Sequence, residues 1–335
     1  MHEPLMFLHN LDTTIKEPFA SNPAVLDAVE KNHKKLQIAM TKLYPGNLVL
    51  SLSSGVMHHR LVDRITSLND VPREPLVPRR LGKNMCVPFG KILRGKVVPN
   101  TVTKTLHTDK VYEPDLESYT IEPFPYYSPL NSQIETIRSF DRPVILVDDL
   151  VHKADRLRVL VPKLRETGIP IKKVVVGVLS GYGRDLMQQL KVPVESIYSM
   201  PNVRQWFVES TLYPFIGGDT VRREEMKVAG LQPSINMILP YATPKLSGCS
   251  REALVEFSAC CIENSRDLLQ VLEAEYRKQY AKNLTLSRLS EAVILPLCPD
   301  KGSCMEYDEN LAASVYLEND LEMLQRMRKF MVTIQ

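Results

Sequence analysis

A chain of 335 residues, 44 % apolar and 24 % charged, has the length of about two domains, or of one enlarged by insertions, and enough apolar residues for a well-buried core. Its 42 basic and 39 acidic residues leave a net charge of +3, too balanced to direct the chain to nucleic acid or a membrane surface. No apolar run approaches the roughly 20 residues of a bilayer span, and the first six residues lack the basic-then-apolar order of a secretory signal, so a cytoplasmic location is expected.

The six cysteines contain no CxxC pair and read as reduced thiols. The neighbouring His58 and His59 project in different directions on a helix and do not suggest a shared metal, and no metal site built from protein side chains alone is expected.

Residues 1–46 read as a cap containing a helix that starts at Pro23, with Val25, Val29, Leu36 and Met40 as its apolar contacts. A strand over 47–52 then runs into the turn Ser53-Ser54-Gly55 and a second helix. A strand that meets a helix N-terminus through a small-residue turn is an anion-binding geometry, and the same residues also suit an ordinary helix cap.

Between about 70 and 140 the prolines multiply and the pattern becomes irregular. Short runs at 85–87, 101–106 and 119–121 have strand character, and the stretch reads as an insertion carrying a hairpin. Arg79, Arg80, Lys83, Lys91, Arg94, Lys96 and Lys104 make it basic, which suits a polyphosphate ligand as well as plain solvation.

Val144 to Val147 are consecutive branched or apolar residues, the pattern of a parallel strand buried on both faces. This strand is expected to end in two carboxylates, Asp148 and Asp149, displayed where open α/β sheets bind ligands. The loop that follows, with His152, Lys153, Asp155 and Arg156, leads into a helix whose Leu157, Leu160, Val161 and Leu164 recur at helical spacing. A second apolar strand over 173–179 completes a βαβ unit and ends in Ser180, Gly181, Tyr182 and Arg184 before a helix from about 185. A turn and helix cap would use the same acids. A strand over 194–199 follows, and Gly217, Gly218 and Asp219 form a turn that suits the same rim. Beyond 225 the pattern is helical, with Val255, Ile262, Leu269 and Tyr276 at seven-residue steps.

The strand, Val-Asp-Asp-Leu-Val, short loop and amphipathic helix resemble the phosphoribosyl-pyrophosphate motif of type I phosphoribosyltransferases. That resemblance implies an α/β fold, a parallel sheet flanked by helices, with an inserted hairpin hood and a helical C-terminal appendage. It divides the chain into 1–46, a core over 47–224 with an insertion at about 70–140, and 225–335.

It also implies roles: Asp148 and Asp149 toward ribose hydroxyls, and His152, Lys153, Asp155 and Arg156 around the 5-phosphate. Ser53, Ser54 and Gly55 would hold pyrophosphate, and Ser180, Gly181, Tyr182 and Arg184 would face the acceptor. Mg²⁺, if the protein is catalytic, would be bridged by the ligand rather than held by protein alone. The loop departs from the family pattern, having no glycine or threonine, so Lys153 and Arg156 replace backbone donors with charged side chains.

The layout further resembles an uncharacterised phosphoribosyltransferase-like region associated with bacterial cytidylyltransferase-related proteins, although this chain lacks the partner domain's His-x-Gly-His signature. The expected partner is a small phosphorylated ligand, with no nucleic acid and no membrane. A homodimer or a nucleotidyltransferase-like partner domain fits the helical tail. The competing readings are a non-catalytic sensor of nucleotides or phosphoribosyl compounds, and a structural module with a degenerate phosphate loop.

Overall fold

The structure is a computed structural model. It describes residues 3–78, 80–93, 96–125, 127–153, 155–223, 228–244, 246, 248–301 and 306–333. Arg79 and Arg94 of the basic insertion lie outside the described residues.

The strands in chain order are β1 (Leu5–His9), β2 (Val49–Ser53), β3 (Met85–Pro88), β4 (Val102–Thr103), β5 (Thr108–Tyr112), β6 (Tyr119–Pro123), β7 (Val144–Val151), β8 (Ile171–Ser180), β9 (Val194–Met200), β10 (Gln205–Val208), β11 (Asp219–Val221), β12 (Gln232–Ile235) and β13 (Leu297–Pro299). The α-helices are α1 (Pro23–Leu43), α2 (Ser54–Leu68), α3 (Leu130–Arg138), α4 (Asp155–Glu166), α5 (Gly181–Gln189), α6 (Arg251–Tyr280) and α7 (Ala313–Thr333).

Two compact units emerge, with bounds that differ from the expected three-part division. One unit comprises 1–51, 111–118 and 205–335, and the other 52–110 and 119–204. Residues 1–46 belong to the first of these units. Their strand β1 pairs in parallel with β10, Leu5 opposite Gln205 and Leu8 opposite Val208, because its four fully buried residues need strands on both sides. In the same unit α1 and α6 pack through apolar faces, and Val255, Ile262, Leu269 and Tyr276 are all buried as their seven-residue spacing requires. The expected helical region beyond 225 also contributes β12 and β13, which pair in parallel.

The second unit is an α/β layer. Its sheet has the order β4-β3-β7-β8-β9, parallel throughout. Helices α2 and α5 pack on β8 and β9, while α3 and α4 share an apolar cluster with β3, β7 and β8. This is the parallel sheet flanked by helices that the phosphoribosyltransferase resemblance implies. The stretch expected as a mere insertion supplies two of the sheet strands: Met85 to Pro88 are fully buried, in register with Val144 to Val147. β5 and β6, neighbours in their sheet, form the hairpin, with the Lys110 ammonium 3.7 Å from the Tyr119 ring centre.

Candidate functional site

The candidate site lies in the second unit, around the C-terminal half of β7. Val144 to Val147 are completely buried between β3 and β8. The strand does not stop there, as expected from sequence, but continues through Val151, with Asp148 opposite Val176 and Leu150 opposite Val178. The reason is the partner: β8 runs on to Ser180 and offers its backbone groups along the whole length, so ladder pairing outweighs the poor strand propensity of aspartate. The two acids are thus inside a strand rather than beyond its end, and only His152 to Ala154 separate it from α4, with Ala154 outside the described residues.

Adjacent strand positions face opposite sides of a sheet. Asp148 has the parity of Val144 and Leu146, which pack in the α3 and α4 cluster, and Asp149 has that of Ile145 and Val147. Their side chains nevertheless communicate. Asp148 is buried and its Oδ1 accepts the Asp149 backbone N–H at 2.8 Å. Burial, then the Asp149 charge and a hydrogen bond between the two side chains, push the Asp148 carboxyl well above the usual carboxylate range, while the Arg156 charge works in the opposite direction. Asp149 is more open, and its Oδ1 accepts the Leu150 N–H at 3.0 Å.

Gly90 explains how Asp148 fits. A Cβ on Gly90 would stand 1.6 Å from Asp148 Oδ1 and 2.7 Å from its Cγ, so only a residue without a side chain leaves room for the carboxyl. At the start of α4, Arg156 is half-buried, and its Nε is sealed from solvent without a hydrogen-bond partner. A buried, unsatisfied N–H on a cation is costly, and an anion beside it would remove the cost. Lys153 is exposed and Asp155 opens the helix as its acidic first-turn residue.

His152 joins this loop to the end of β8. Its Nδ1 lies 2.8 Å from Ser180 Oγ, which also accepts the Gly183 N–H at 2.9 Å as the cap of α5. Burial, followed by the Lys153 charge, lowers the His152 pKa, with Asp155 opposing. Tyr182 stands near the imidazole, ring centres 5.8 Å apart, and is exposed. The glycine-rich segment is helical from Gly181 onward, four residues earlier than the sequence suggests. A Cβ at Gly181 would meet the Pro201 carbonyl oxygen at 2.5 Å, and one at Gly183 the Val151 carbonyl oxygen at 2.2 Å. These two glycines therefore serve close packing, and the Gly181 N–H is itself bonded to Pro201 O at 3.0 Å. Arg184 donates to Ser199 Oγ at 2.6 Å on the exposed rim.

The Ser53-Ser54-Gly55 turn does cap a helix: Ser53 Oγ accepts the Val56 N–H at 3.4 Å. Ser54 Oγ is buried and unpartnered. The strand before this turn, β2, is not a strand of the parallel sheet that carries the acids, and α2 instead reaches β8 through Met57, which fills the space left by Gly177 beside the Asp149 carbonyl. One turn along, the His58 pKa is lowered to about 4 by burial and then by the charges of Lys96, His59 and Arg73, so this helix start is electropositive. Sequence reasoning did not anticipate Gly90 or the unpaired Arg156 Nε, because neither a glycine's neighbour across a sheet nor a missing partner leaves a local pattern.

No protein-family model and no curated protein matches the chain, and the association with cytidylyltransferase-related proteins has no support from these comparisons. Among solved structures, a purine phosphoribosyltransferase from Pyrococcus horikoshii Ot3 is similar over 46 % of this chain and 86 % of its own, at 10 % identity and a TM-score of 0.28.

Proposed function

We propose that the second unit binds a ribose-phosphate ligand, either phosphoribosyl pyrophosphate or a nucleotide, against the C-terminal half of β7 and the start of α4. The observation that carries this reading is the buried, unpartnered Arg156 Nε in the electrostatic field of Asp148: a cationic donor awaiting an anion beside an acid. Arg156 and Lys153 take the 5-phosphate, with His152 and Asp155 framing it. Asp149, the more open acid, meets the ribose hydroxyls together with its buried neighbour Asp148. The electropositive start of α2, with Ser53, Ser54 and Gly55, receives pyrophosphate. Tyr182 and Arg184 form the acceptor side, since Ser180 and Gly181 are engaged internally.

If phosphoribosyl is transferred, Mg²⁺ bridged by the ligand supplies charge neutralisation, and the chain's own residues supply positioning of the phosphate and hydroxyls. The alternative, a sensor that binds without turnover, is favoured by one feature. The loop offers side-chain charge instead of glycine N–H groups, which is enough for affinity but gives less close backbone contact to a polyphosphate. A thermal-shift screen of phosphoribosyl pyrophosphate, ribose 5-phosphate and nucleotides, with and without Mg²⁺, tests the proposal on wild type and on Asp148→Ala/Asp149→Ala. Stabilisation confined to wild type supports it. Pyrophosphate release with a base or amine identifies a transferase, and ligand binding without release identifies a sensor.

A further inference from the structure

The first unit contains a separate convergence of polar side chains that the ribose-phosphate reading does not use. His9 ends β1, Glu209 immediately follows β10, and the parallel register that sets Leu8 opposite Val208 brings these next two residues side by side. His33 reaches them from α1. The Glu209 Oε2 lies 3.4 Å from His9 Nδ1 and 2.6 Å from His33 Nε2, and the three donor atoms all fall within 4.8 Å of one another.

Each of these three atoms is buried, and none makes a hydrogen bond. The contacts are close, yet none has the geometry of a hydrogen bond, and the three donor atoms are left clustered without partners. The Glu209 side chain is 0 % exposed. A carboxyl group fully withdrawn from water needs partners that repay its lost hydration.

The surroundings hold the three side chains in place. Asn10, next to His9, and Ser210, next to Glu209, exchange two hydrogen bonds of 3.0 and 2.9 Å. Asn32, next to His33, and Asn264 on α6 exchange two more with each other's backbone carbonyl, of 2.8 and 3.1 Å. Tyr213 OH donates to the outer Glu209 oxygen at 3.5 Å, and the far nitrogen of His9 lies 3.2 Å from the Gln37 amide, which also donates to Ser51 Oγ at 2.9 Å. Ligand side chains whose outer atoms are held by a second layer of hydrogen bonds characterise metal centres.

We propose that His9, His33 and Glu209 form a binding site for a divalent first-row transition metal, with Zn²⁺ as the reference ion. Two imidazoles and one carboxylate suit Zn²⁺, Fe²⁺, Co²⁺ or Ni²⁺, whereas Mg²⁺ and Ca²⁺ favour all-oxygen sites. Bonds of about 2.0–2.1 Å in a tetrahedron place neighbouring donors about 3.3 Å apart. The His9 to Glu209 separation already has this value, and His33 has to withdraw by roughly 0.7 Å, which its 24 % exposed side chain allows. Three protein donors leave a fourth position for water or a small anion, the arrangement of a reactive rather than a closed structural zinc site.

The test uses untagged full-length protein, stripped with chelator and titrated with Zn²⁺ by calorimetry and with Co²⁺ by visible absorption. Wild type and the control His59→Ala are expected to bind one Zn²⁺ per chain, and Co²⁺ to give ligand-field bands in both. His33→Ala and His9→Ala are expected to bind at least about 10-fold more weakly, since losing even an outer-layer partner costs that much, and to lose the Co²⁺ bands. Circular dichroism verifies that these variants are folded. Glu209→Gln adds to the test if it folds, and His33→Ala decides without it. Absence of stoichiometric Zn²⁺ binding by wild type, or equal affinity in wild type and His33→Ala, overturns the proposal.

Discussion

His152 Nδ1 sits 2.8 Å from the hydroxyl of Ser180, a side chain that also accepts the Gly183 N–H at the head of α5. The hydroxyl can give its own proton to Nδ1 or, through its second lone pair, accept one from it, so the contact holds the ring with Nδ1 toward α5 in either case. One side chain thus serves both a helix start and the orientation of a histidine. Ser180→Ala is expected to cost about 1 kcal/mol in denaturant unfolding, the scale of a lost N-cap. In ¹⁵N spectra, the His152 Nδ1 signal should move. An unchanged Nδ1 signal contradicts the pairing.

The raised Asp148 pKa has a defined sign in stability. A carboxyl whose folded-state pKa lies above its unfolded value stabilises the fold fully below about pH 3.9, and this contribution is lost as pH rises through the folded-state pKa. Asp148→Asn keeps the shape but cannot ionise. Its melting temperature relative to wild type should rise as the pH is raised above about 4, levelling off once the folded-state pKa is passed, while ligand-induced stabilisation disappears. A constant offset across that range would show that Asp148 does not titrate in the folded protein.

Gly90 and Asp148 share one space, so their substitutions should couple. Gly90→Ala is expected to cost about 1–3 kcal/mol, as overpacking does, because Asp148 Oδ1 has to move. In an Asp148→Ala background, where the nearest remaining atom of residue 148 in the way is the Cα at 3.4 Å, the same change should cost less than about 1 kcal/mol. Equal costs in both backgrounds, measured by urea unfolding, would mean that the glycine answers to something else.

Much of the second unit was legible in the sequence because its signals are local. The branched run over 144–147, the helical spacing of Leu157, Leu160, Val161 and Leu164, and the second apolar strand each announce one element, and the βαβ order places them in a parallel sheet. What was not legible depends on partners far along the chain. Met85 to Pro88 read as a short strand within an insertion, and only burial against Val144 to Val147, far along the chain, makes them a strand of the core sheet. The extension of β7 through Asp148 follows from the length of β8. His9, His33 and Glu209 have no motif spacing, and only the parallel pairing of β1 with β10 brings two of them together.

His58 reports on the helix start that is proposed to take pyrophosphate. Its pKa of about 4, below the usual histidine value of about 6.5, makes the fold lose stability as pH falls between those two values. A phosphate bound at Ser53, Ser54 and Gly55 offsets the charges of Lys96 and Arg73 and should raise the His58 midpoint by roughly one unit in an NMR titration. No movement on adding pyrophosphate would remove this turn from the site.

The most direct measurement of the central claim is calorimetric titration of ribose 5-phosphate into wild type, Arg156→Lys and Arg156→Gln. One ligand per chain is expected in wild type, with at least about 10-fold weaker binding in Arg156→Gln, the scale of a lost hydrogen bond to a charged group, and an intermediate loss in Arg156→Lys. Indistinguishable affinities in wild type and Arg156→Gln, or no binding by wild type with or without Mg²⁺, would contradict the assignment of this face of the sheet to a phosphosugar.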